Sequence, residues 1–352
     1  MRNREFVFTP KIEYKLVAER SEANQNSLTF TFWCSILELV RTHFAACGGE
    51  EFPSRKFGKA AEPNRSKPQK NPEKNIGSNH ILILGEENFF MRLITLNCAL
   101  SPWSPGRKKR LPYIVKALID EKPDVIFFQE VFWKSDANYI VKKLIQSGFT
   151  DSFYSDTLLI ISKYPFISHT YQRFKLHFDH NIFPNIYKLL NWIYGKGYQV
   201  VELNFDNQLI TFINTHLLST GYGHDYNLYH LARMGQFTEI YDYFNNELYQ
   251  AKRIIVGGDF NFDINSSSYT MITNGYGFTD PLREVVGNTF SADNLNRKFF
   301  WLEKLNQRLD HIFIKGFEGH KTFGKIVFCE PYFVNGNKLQ VSDHYGLALD
   351  IQ

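Results

Sequence analysis

The 352-residue sequence predicts a domain of the α/β class over residues 91–352, and three observations support this. From Met91 onward, short apolar runs rich in β-branched residues alternate with segments whose apolar residues recur every three or four positions. The first pattern is typical of strands and the second of helices, and their alternation is typical of α/β proteins. Apolar residues make up 43% of the chain, which is enough for a packed core without disulfide bonds. We therefore expect one compact domain in this part of the chain.

The predicted strands are short, and many of them end in a polar residue. Their β-branched and aromatic residues favour extended backbone. The predicted strands are Arg92–Asn97, Asp124–Gln129, Leu158–Ser162, Gln199–Leu203, Leu209–His216, Lys252–Gly257, Leu309–Ile314 and Leu347–Ile351.

Three segments between these strands have helical spacing. They are Lys108–Asp120, Lys134–Gln146 and a longer segment from Leu228 to Leu248, in which apolar residues step by threes and fours along one face. Internal repeats are not evident.

The first 90 residues differ in composition from the rest. Residues 53–77 contain four prolines and seven Lys or Arg against two Glu, with few large apolar residues, which predicts a basic, Pro-rich linker. Residues 1–52 carry too few apolar residues to enclose a core of their own. We expect residues 1–90 to be an N-terminal extension, largely disordered or loosely docked, before a domain at 91–352.

Charge and targeting patterns narrow the function classes. A net charge of +4 is too small for a dedicated nucleic-acid binder, although a local basic patch stays possible. The first residues are charged and polar, unlike a secretory signal, and the apolar stretch 27–40 is too short to span a membrane and contains Glu38. The four cysteines form no C-x-x-C pair, which argues against a zinc site. These features favour a cytoplasmic or peripheral membrane location.

Polar side chains stand where several predicted strands end and loops begin. Rigid scaffolds often present functional groups at such positions, although each residue alone is also explained as a turn former, a helix-terminal charge or a core histidine. The residues are Asn97, Glu130, Asn214 with His216, Asp259 with Asn261, Asp310, and Asp343 with His344.

The ligand types in this set favour Mg²⁺. Oxygen ligands are plentiful and a cluster of soft ligands is absent, and Mg²⁺ takes one or two carboxylates, several waters and substrate phosphate oxygens. Glu130 with Asn97 could supply such a site. In extended chain, residues i and i+2 point to the same side, so Asp259 and Asn261 are expected to converge on one phosphate while Phe260 faces the core.

The same alternation separates Asp310 from His311. Neighbours on a strand face opposite ways, so at most one of the two should enter a cleft. We expect His311 to be a structural histidine.

Seven short motifs occur once each and in a fixed order. They are TLN at 95–97, FFQEV at 127–131, SKYP at 162–165, NTHL at 214–217, GGDFN at 257–261, RLDHIF at 308–313 and SDHYGL at 342–347. This ordered set resembles the endonuclease/exonuclease/phosphatase superfamily. Within it, QEVFW at 129–133, Lys196-Gly197 before a strand, and Arg233 with Gln236 are most similar to the neutral sphingomyelinase branch.

The resemblance implies a fold and a reaction. The fold is a four-layer α/β/β/α sandwich, in which two mixed sheets pack face to face with helices outside. The reaction is metal-assisted hydrolysis of a phosphodiester by in-line attack of water, with Mg²⁺ as the cofactor and Mn²⁺ as a substitute. Superfamily members commonly have Tyr where His311 stands.

The resemblance also implies a role for each site residue. The metal ligands are Glu130, as the main ligand, with Asn97 and Asp343. His344 is the general base, oriented by Asp310, while Asp259 and Asn261 orient water and phosphate. His216 stabilises the transition state or assists the leaving group. The substrate contacts are Asn214, Asn261 and Lys196.

The substrate class rests on weaker signals. A phospholipase C type, sphingomyelinase-like lipid hydrolase acting as a monomer at a membrane surface is favoured; an endonuclease, exonuclease or generic phosphoesterase acting on nucleic acid is the alternative. The segment Asn181–Tyr198 is rich in aromatics flanked by Lys188 and Lys196, which suits a membrane interface, although its aromatics could equally cap the sheet core.

Overall fold

The computed structural model describes residues 91–352 apart from 103, 105, 176–194, 220–226, 246–251, 286, 298–305 and 335–336. The predicted N-terminal extension at 1–90, with its linker at 53–77, lies outside the described residues. Residues 181–194, which make up most of the aromatic segment Asn181–Tyr198, also lie outside the described residues.

The part of the chain that the structure describes contains thirteen strands and four α-helices. In chain order the strands are β1 (Met91–Asn97), β2 (Val125–Gln129), β3 (Asp151–Ser155), β4 (Leu158–Ser162), β5 (Phe166–Arg173), β6 (Gly197–Phe205), β7 (Gln208–His216), β8 (Ile254–Asp259), β9 (Asp310–Lys315), β10 (Thr322–Val327), β11 (Tyr332–Val334), β12 (Asn337–Leu339) and β13 (Gly346–Ile351). The helices are α1 (Arg107–Glu121), α2 (Lys134–Ile145), α3 (Asn227–Asn245) and α4 (Ser267–Thr270), which continues into a π-helical turn at Met271–Gly275.

The strands form two mixed sheets and a hairpin. The first sheet has six strands in the order β10-β13-β1-β2-β4-β3, and the second has five in the order β5-β6-β7-β8-β9. Among the described strands, only β1 with β2 and β7 with β8 run parallel; the remaining pairs are antiparallel. Strands β11 and β12 pair with each other.

Three apolar clusters arrange these elements in four layers. Side chains such as Ile94 and Phe128 pack on the first sheet's outer face with those of α1 and α2, and side chains such as Ile213 and Val256 pack with α3 on the second. Between the sheets lies a third cluster that includes Phe127. Burying one such side chain contributes about 1.5–3 kcal/mol. The α/β/β/α sandwich implied by the resemblance is confirmed.

Alternation along the strands also builds a polar end to the inner layer. On β2, Val125 and Phe127 face the inter-sheet core, and the next residue on the same face is Gln129. On β7, Ile210 and Phe212 face that core, and the same face continues with Asn214 and His216. The faces that pack the two sheets together therefore end in polar side chains at one edge.

A close approach between β7 and β8 requires glycine at position 258. Gly258 pairs with Thr215, and a Cβ built on it would lie 1.9 Å from the Thr215 carbonyl oxygen. Its φ of 145° is also one that other residues rarely adopt. The glycine immediately before Asp259 thus allows the strand that carries that carboxylate to pair fully.

The predicted strands and helices all occur, with shifts of a few residues at their ends. The strands that were not predicted lie at sheet edges or in the hairpin: β5, for example, is largely exposed and carries polar residues, so it lacks the apolar run of an inner strand. Of the third predicted helix, residues 246–248 lie outside the described part of the chain. No helix that the structure describes is long and apolar enough to cross a membrane.

Candidate active site

The polar strand ends meet at one edge of the cleft between the sheets. Parallel strands end at the same edge, so Asn97 on β1 lies beside Gln129 on β2, and His216 on β7 lies beside Asp259 on β8. Strand β9 runs antiparallel to β8 and starts here, which pairs Asp310 with Asp259. Strand register alone thus gathers side chains that are far apart in sequence.

Asn97 connects the two sheets across this edge. Its Nδ2 donates to Asp259 Oδ2 at 2.9 Å and to Glu130 Oε1 at 3.3 Å, and its Oδ1 accepts from the Ala99 amide at 3.0 Å. One carboxamide therefore holds a carboxylate from each half of the cleft, and Oδ1 keeps a second lone pair.

Burial and a neighbouring carboxylate both disfavour the charged form of Glu130. It follows β2 with a left-handed φ of 59°, a sparsely populated conformation that is common at functional sites. Burial and the nearby Asp343 carboxylate raise the pKa of Glu130 to about 7, against the opposing charge of Lys196. A cation beside Glu130 and Asp343 would stabilise both carboxylates, so the donor set fits a hard divalent ion.

Asp259 and His216 form the second part of the site. Burial and the neighbouring Asp310 raise the pKa of Asp259 to about 6. His216 Nε2 lies 3.4 Å from Asp259 Oδ2, while its buried Nδ1 has no hydrogen-bond partner among the described residues. Burial, Lys196 and His344 hold the pKa of His216 well below its usual value, so this imidazole is neutral.

Asn261 reaches the site by a turn and not by strand alternation. Strand β8 ends at Asp259, and Asn261 has a left-handed φ of 54°. Its amide N–H donates to Asp259 Oδ1 at 2.9 Å, and its Nδ2 donates to the Leu217 carbonyl at 3.0 Å. The expectation that extended backbone brings Asp259 and Asn261 together is wrong, although Phe260 is in the core as expected.

Asp310 and His344 form a buried pair. His344 Nδ1 lies 2.8 Å from Asp310 Oδ2. Burial alone would lower the pKa of His344, but Asp310, Asp259 and Asp343 more than offset it and raise the pKa to about 10. With these carboxylates alone the imidazolium form prevails at neutral pH, and positive charge beside them would favour the neutral imidazole.

Lys196 is buried at the same cleft. It stands between two glycines that pack tightly: a Cβ on Gly195 would lie 2.7 Å from Asp156 Cβ, and one on Gly197 would lie 2.6 Å from the Tyr171 hydroxyl. Burial lowers the pKa of Lys196 to about 8, while Asp259 and Glu130 act in the opposite direction. The positive charge of Lys196 therefore interacts with both carboxylates.

Asn214 lies in the core below the cleft. Its Oδ1 accepts from Gln129 Nε2 at 2.7 Å, and its Nδ2 donates to the Phe128 carbonyl at 3.0 Å and lies 3.3 Å from Gln199 Oε1. Gln129 Nε2 also donates to Thr95 Oγ1 at 3.0 Å. Asn214 was predicted to contact substrate; in the structure its side chain is completely buried and bonds to both sheets.

His311 is a core residue, which confirms the alternation argument. Its Nε2 lies 2.9 Å from the Phe262 carbonyl oxygen, and its ring packs among Phe260, Phe262 and Phe313. Burial lowers the pKa of His311 to about 3. It stands on the opposite face of β9 from Asp310.

Two supporting residues were missed from the sequence. The buried Arg110 donates to the carbonyls of Cys98 and Val341, at 2.8 and 2.7 Å, and Ser342 Oγ donates to the Asn97 carbonyl at 2.6 Å. They bring the loop after Asn97 close to the loop that carries Asp343. The sequence did contain a signal for Arg110. It lies one turn before Ile114, so a charged residue stands on the apolar face of a predicted helix.

A second group of ligand atoms could also hold a metal ion. One ligand atom from each of Asp259, Asp310 and His344 lies within 4.8 Å of the others. Because His344 Nδ1 already bonds to Asp310, these atoms suit proton handling better than ligation. Glu130 Oε1 instead accepts from the Asn97 carboxamide at 3.3 Å.

A comparison with known families matches this architecture. Residues 94–344 match the sequence profile of the family described as "Endonuclease/Exonuclease/phosphatase family". That match covers the whole described domain except its ends.

Three curated proteins are similar in sequence. A Drosophila melanogaster protein named "Putative neutral sphingomyelinase" is 24% identical over 272 residues, covering 72% of this chain and 59% of that protein. A Caenorhabditis elegans protein of the same name is 29% identical over 189 residues, 49% and 41% of the two chains. The "Inositol phosphosphingolipids phospholipase C" of Schizosaccharomyces pombe is 26% identical over 295 residues, 73% and 67%. The chain spans about half the length of the first two.

Three solved structures are similar to this chain in fold. Beta toxin from Staphylococcus aureus has a TM-score of 0.61 at 18% identity, covering 74% of this chain and 99% of that one. Sphingomyelinase C from Streptomyces griseocarneus has a TM-score of 0.59 at 17% identity, covering 74% and 98%. TDP2 from C. elegans has a TM-score of 0.56 at 18% identity, covering 74% of each chain. At these identities the likeness concerns the fold alone.

Proposed function

The chain belongs to the endonuclease/exonuclease/phosphatase family, and on that premise we propose that it is a metal-dependent phosphodiesterase of the sphingomyelinase type. The family and the curated relatives are hydrolases that act on phosphodiesters. The observation that carries the proposal is that one cleft holds both a buried carboxylate–imidazole pair, Asp310–His344, and Glu130, whose pKa burial and Asp343 raise to about 7.

Glu130 is the proposed main ligand of a divalent cation, with Asn97 and Asp343 beside it. Mg²⁺ suits these oxygen donors, and Mn²⁺ can substitute for it. When bound, the ion would neutralise charge on the phosphate oxygens.

His344 is the proposed general base. Its Nδ1–H donates to Asp310, which leaves Nε2 to take a proton from the attacking water. Water attacks phosphorus in line with the leaving oxygen, so one P–O bond forms as the other breaks. No covalent enzyme intermediate is needed.

The remaining cleft residues bind and orient the phosphate in this proposal. Asp259 and Asn261 orient the water and a phosphate oxygen, and Lys196 supplies a nearby positive charge. The neutral His216 can donate a hydrogen bond, which stabilises the transition state or assists the leaving group. Asn214 supports this set from the core and does not contact substrate.

The relatives favour a sphingolipid substrate. The three curated relatives carry names of sphingolipid hydrolases, two of them sphingomyelinases and one a phospholipase C acting on inositol phosphosphingolipids. We therefore propose phospholipase C type cleavage, which releases the phosphorylated headgroup, by a monomer at a lipid surface. TDP2, which has been solved with a single-stranded DNA product, is similar to this chain in fold alone.

A substrate panel tests this proposal. Sphingomyelin, an inositol phosphosphingolipid, a lysophospholipid, abasic DNA and single-stranded RNA are each incubated with Mg²⁺, with Mn²⁺ and with EDTA, and phosphorylated products are quantified. We expect release of a phosphorylated headgroup from a sphingolipid, abolished by EDTA and by His344→Gln. Cleavage of nucleic acid alone would contradict the lipid substrate. Full activity in EDTA would contradict the metal requirement.

A further inference from the structure

Residues 289–297 run between the two chain stretches that carry Asp310 and His344. We refer to them as the clamp segment. Its first residue, Thr289, is completely buried. Nothing in the reaction proposed above uses this segment.

Thr289 bonds to both of those stretches. Its Oγ1 accepts from the amides of Leu309 and Asp310, at 3.0 and 3.1 Å. Its carbonyl oxygen accepts from the amide of Tyr345, the residue after His344, at 2.7 Å. One residue thus fixes the backbone at Asp310 and the backbone next to His344.

The rest of the clamp segment packs around His344. The Phe290 ring lies 5.1 Å from the His344 ring between centroids, and the Arg297 guanidinium lies 4.0 Å from the Phe290 centroid on a cation–π contact. Asn294 Nδ2 donates to the Ser342 carbonyl at 3.0 Å. The clamp segment therefore contacts the His344 ring and bonds to the backbone of Ser342 and Tyr345, on either side of His344.

The hydroxyl of Thr289 is the chemically specific part of this arrangement. Buried amide N–H groups need an acceptor, and Oγ1 serves two of them at the start of β9. Valine has the same shape but no acceptor, whereas serine keeps the acceptor and loses a methyl group.

We infer that Thr289 is a positioning residue, which holds Asp310 and His344 at hydrogen-bonding distance through its hydroxyl and its carbonyl oxygen. Its effect on turnover rests on the proposed function, because that function makes His344 the base. Its effect on the Asp310–His344 pair does not.

The test compares four variants. Thr289→Val removes the acceptor, Thr289→Ser keeps it, and Thr289→Cys has a thiol, which is a weak acceptor. Thr238→Val is the control: Thr238 Oγ1 also makes two hydrogen bonds, to the Met234 carbonyl at 2.8 Å and the Tyr276 hydroxyl at 2.6 Å, but on α3. Each full-length variant is assayed for kcat and KM on the substrate that the wild-type chain cleaves.

A second readout needs no substrate. In protein labelled with ¹⁵N-histidine, the Nδ1–H resonance of His344, assigned by its loss in His344→Gln, reports the bond to Asp310. We expect Thr289→Val to shift or broaden this resonance and to lower kcat about 10- to 100-fold with KM within about twofold, because misplaced proton-transfer groups lose rate more than affinity. Thr289→Ser should restore both, Thr289→Cys should fall between, and Thr238→Val should change neither.

The outcomes separate the two proposals. A wild-type resonance and wild-type kcat in Thr289→Val would overturn the positioning role, as would equal losses in Thr289→Ser and Thr289→Val. If Thr289→Val does not fold, Thr289→Ser and Thr289→Cys are compared instead. The positioning role then requires that Thr289→Ser lies closer to the wild-type resonance and kcat than Thr289→Cys does. A chain that cleaves no phosphodiester but shows the expected resonance changes would contradict the proposed function and leave the clamp supported.

Discussion

Burial makes the ionisable side chains of the cleft depend on one another. The pKa of Glu130 is raised to about 7 and that of Asp259 to about 6, in each case by burial first and a second carboxylate next. The pKa of His344 is raised to about 10 because three carboxylates outweigh its burial. Neighbouring carboxylates contribute to all three shifts, and a divalent cation would offset their negative charge.

Glu130→Gln tests this interpretation at the residue scale. The amide keeps the shape of the side chain but removes its charge, so we expect at least about a 100-fold loss of turnover and a higher Mg²⁺ requirement, because a metal ligand contributes several kcal/mol to the transition state. Headgroup release across a Mg²⁺ titration measures both.

The matched control for that substitution is Asp120→Asn. Asp120 is an exposed carboxylate that pairs with Lys116 on α1, away from the cleft. Its loss should leave turnover and Mg²⁺ dependence unchanged. An unaltered Mg²⁺ titration in Glu130→Gln would move the metal away from this residue, and the ligand atoms of Asp259, Asp310 and His344 would then be the next candidates.

His311 gives the domain a pH-dependent stability. Its pKa is lowered to about 3 by burial, from about 6.5 in the unfolded chain. Below pH 6.5 the unfolded state takes up a proton that the folded state takes up only near pH 3, so the free energy of unfolding falls as the pH falls through this window. At pH 5 this contribution is about 2 kcal/mol.

His311→Phe should reduce this acid sensitivity. The phenyl ring fits among the surrounding aromatics but loses the hydrogen bond with the Phe262 carbonyl, so the variant should be about 1–2 kcal/mol less stable at pH 7.5. Between pH 7.5 and pH 5 it should lose about 2 kcal/mol less than the wild-type chain. Urea unfolding at both pH values measures this. The control is His169→Phe at an exposed position, in which the free energy of unfolding should depend on pH as in the wild-type chain. A wild-type pH dependence in His311→Phe would contradict the prediction.

At the scale of elements, strand pairing decides which polar residues enter the cleft and which stay below it. Side chains two residues apart on β7 share a face, yet His216 lies at the edge while Asn214 bonds to Gln129 and Gln199 between the sheets. Depth along the strand therefore separates a residue that can meet substrate from one that joins the layers.

Asn214→Ala distinguishes these two roles. The change leaves buried polar partners unsatisfied, so we expect the free energy of unfolding to fall by about 2–4 kcal/mol. The KM should stay within about twofold of the wild-type value, because the side chain is buried and bonded within the core. Asn204→Ala, at an exposed position on β6, is the control and should change neither. A large rise in KM with unchanged stability would restore Asn214 as a substrate contact.

For the whole molecule, the described domain starts with a strand in the middle of a sheet. Met91 is fully buried and pairs with Ile351 in the last strand, so β1 joins the two ends of the domain. Every proposed site residue lies between Asn97 and His344. The division of the chain into an extension at 1–90 and a domain at 91–352 stays a prediction.

A chain that begins at Met91 tests this division. Because it retains β1 and the complete cleft, it should unfold as cooperatively as the full chain, with kcat within about twofold. Thermal unfolding and turnover on a soluble substrate measure this.

Binding to anionic vesicles at low and high salt shows whether the basic stretch 55–74 recruits the chain to lipid, in which case only the full chain should bind in a salt-sensitive way. Insoluble protein from Met91 would place the boundary earlier.

The sequence by itself determined the fold class, the inner strands and the chemical types at the site. Apolar runs and period-2 alternation are local properties, and they placed Asp310 and His311 on opposite faces of one strand without any tertiary information. The ordered motifs likewise pointed to Glu130, Asp259 and His344.

Only the tertiary structure decided how these residues act together. Asn261 reaches the cleft through a left-handed turn, Asn214 is taken up by the inter-sheet core, and Thr289 and Arg110 support the site from loops and helices distant in sequence. Hydrogen-bond partners and pKa values depend on which groups are close in space and how deeply they are buried. Those distances are set by the packing of two sheets, which no local pattern in the chain encodes.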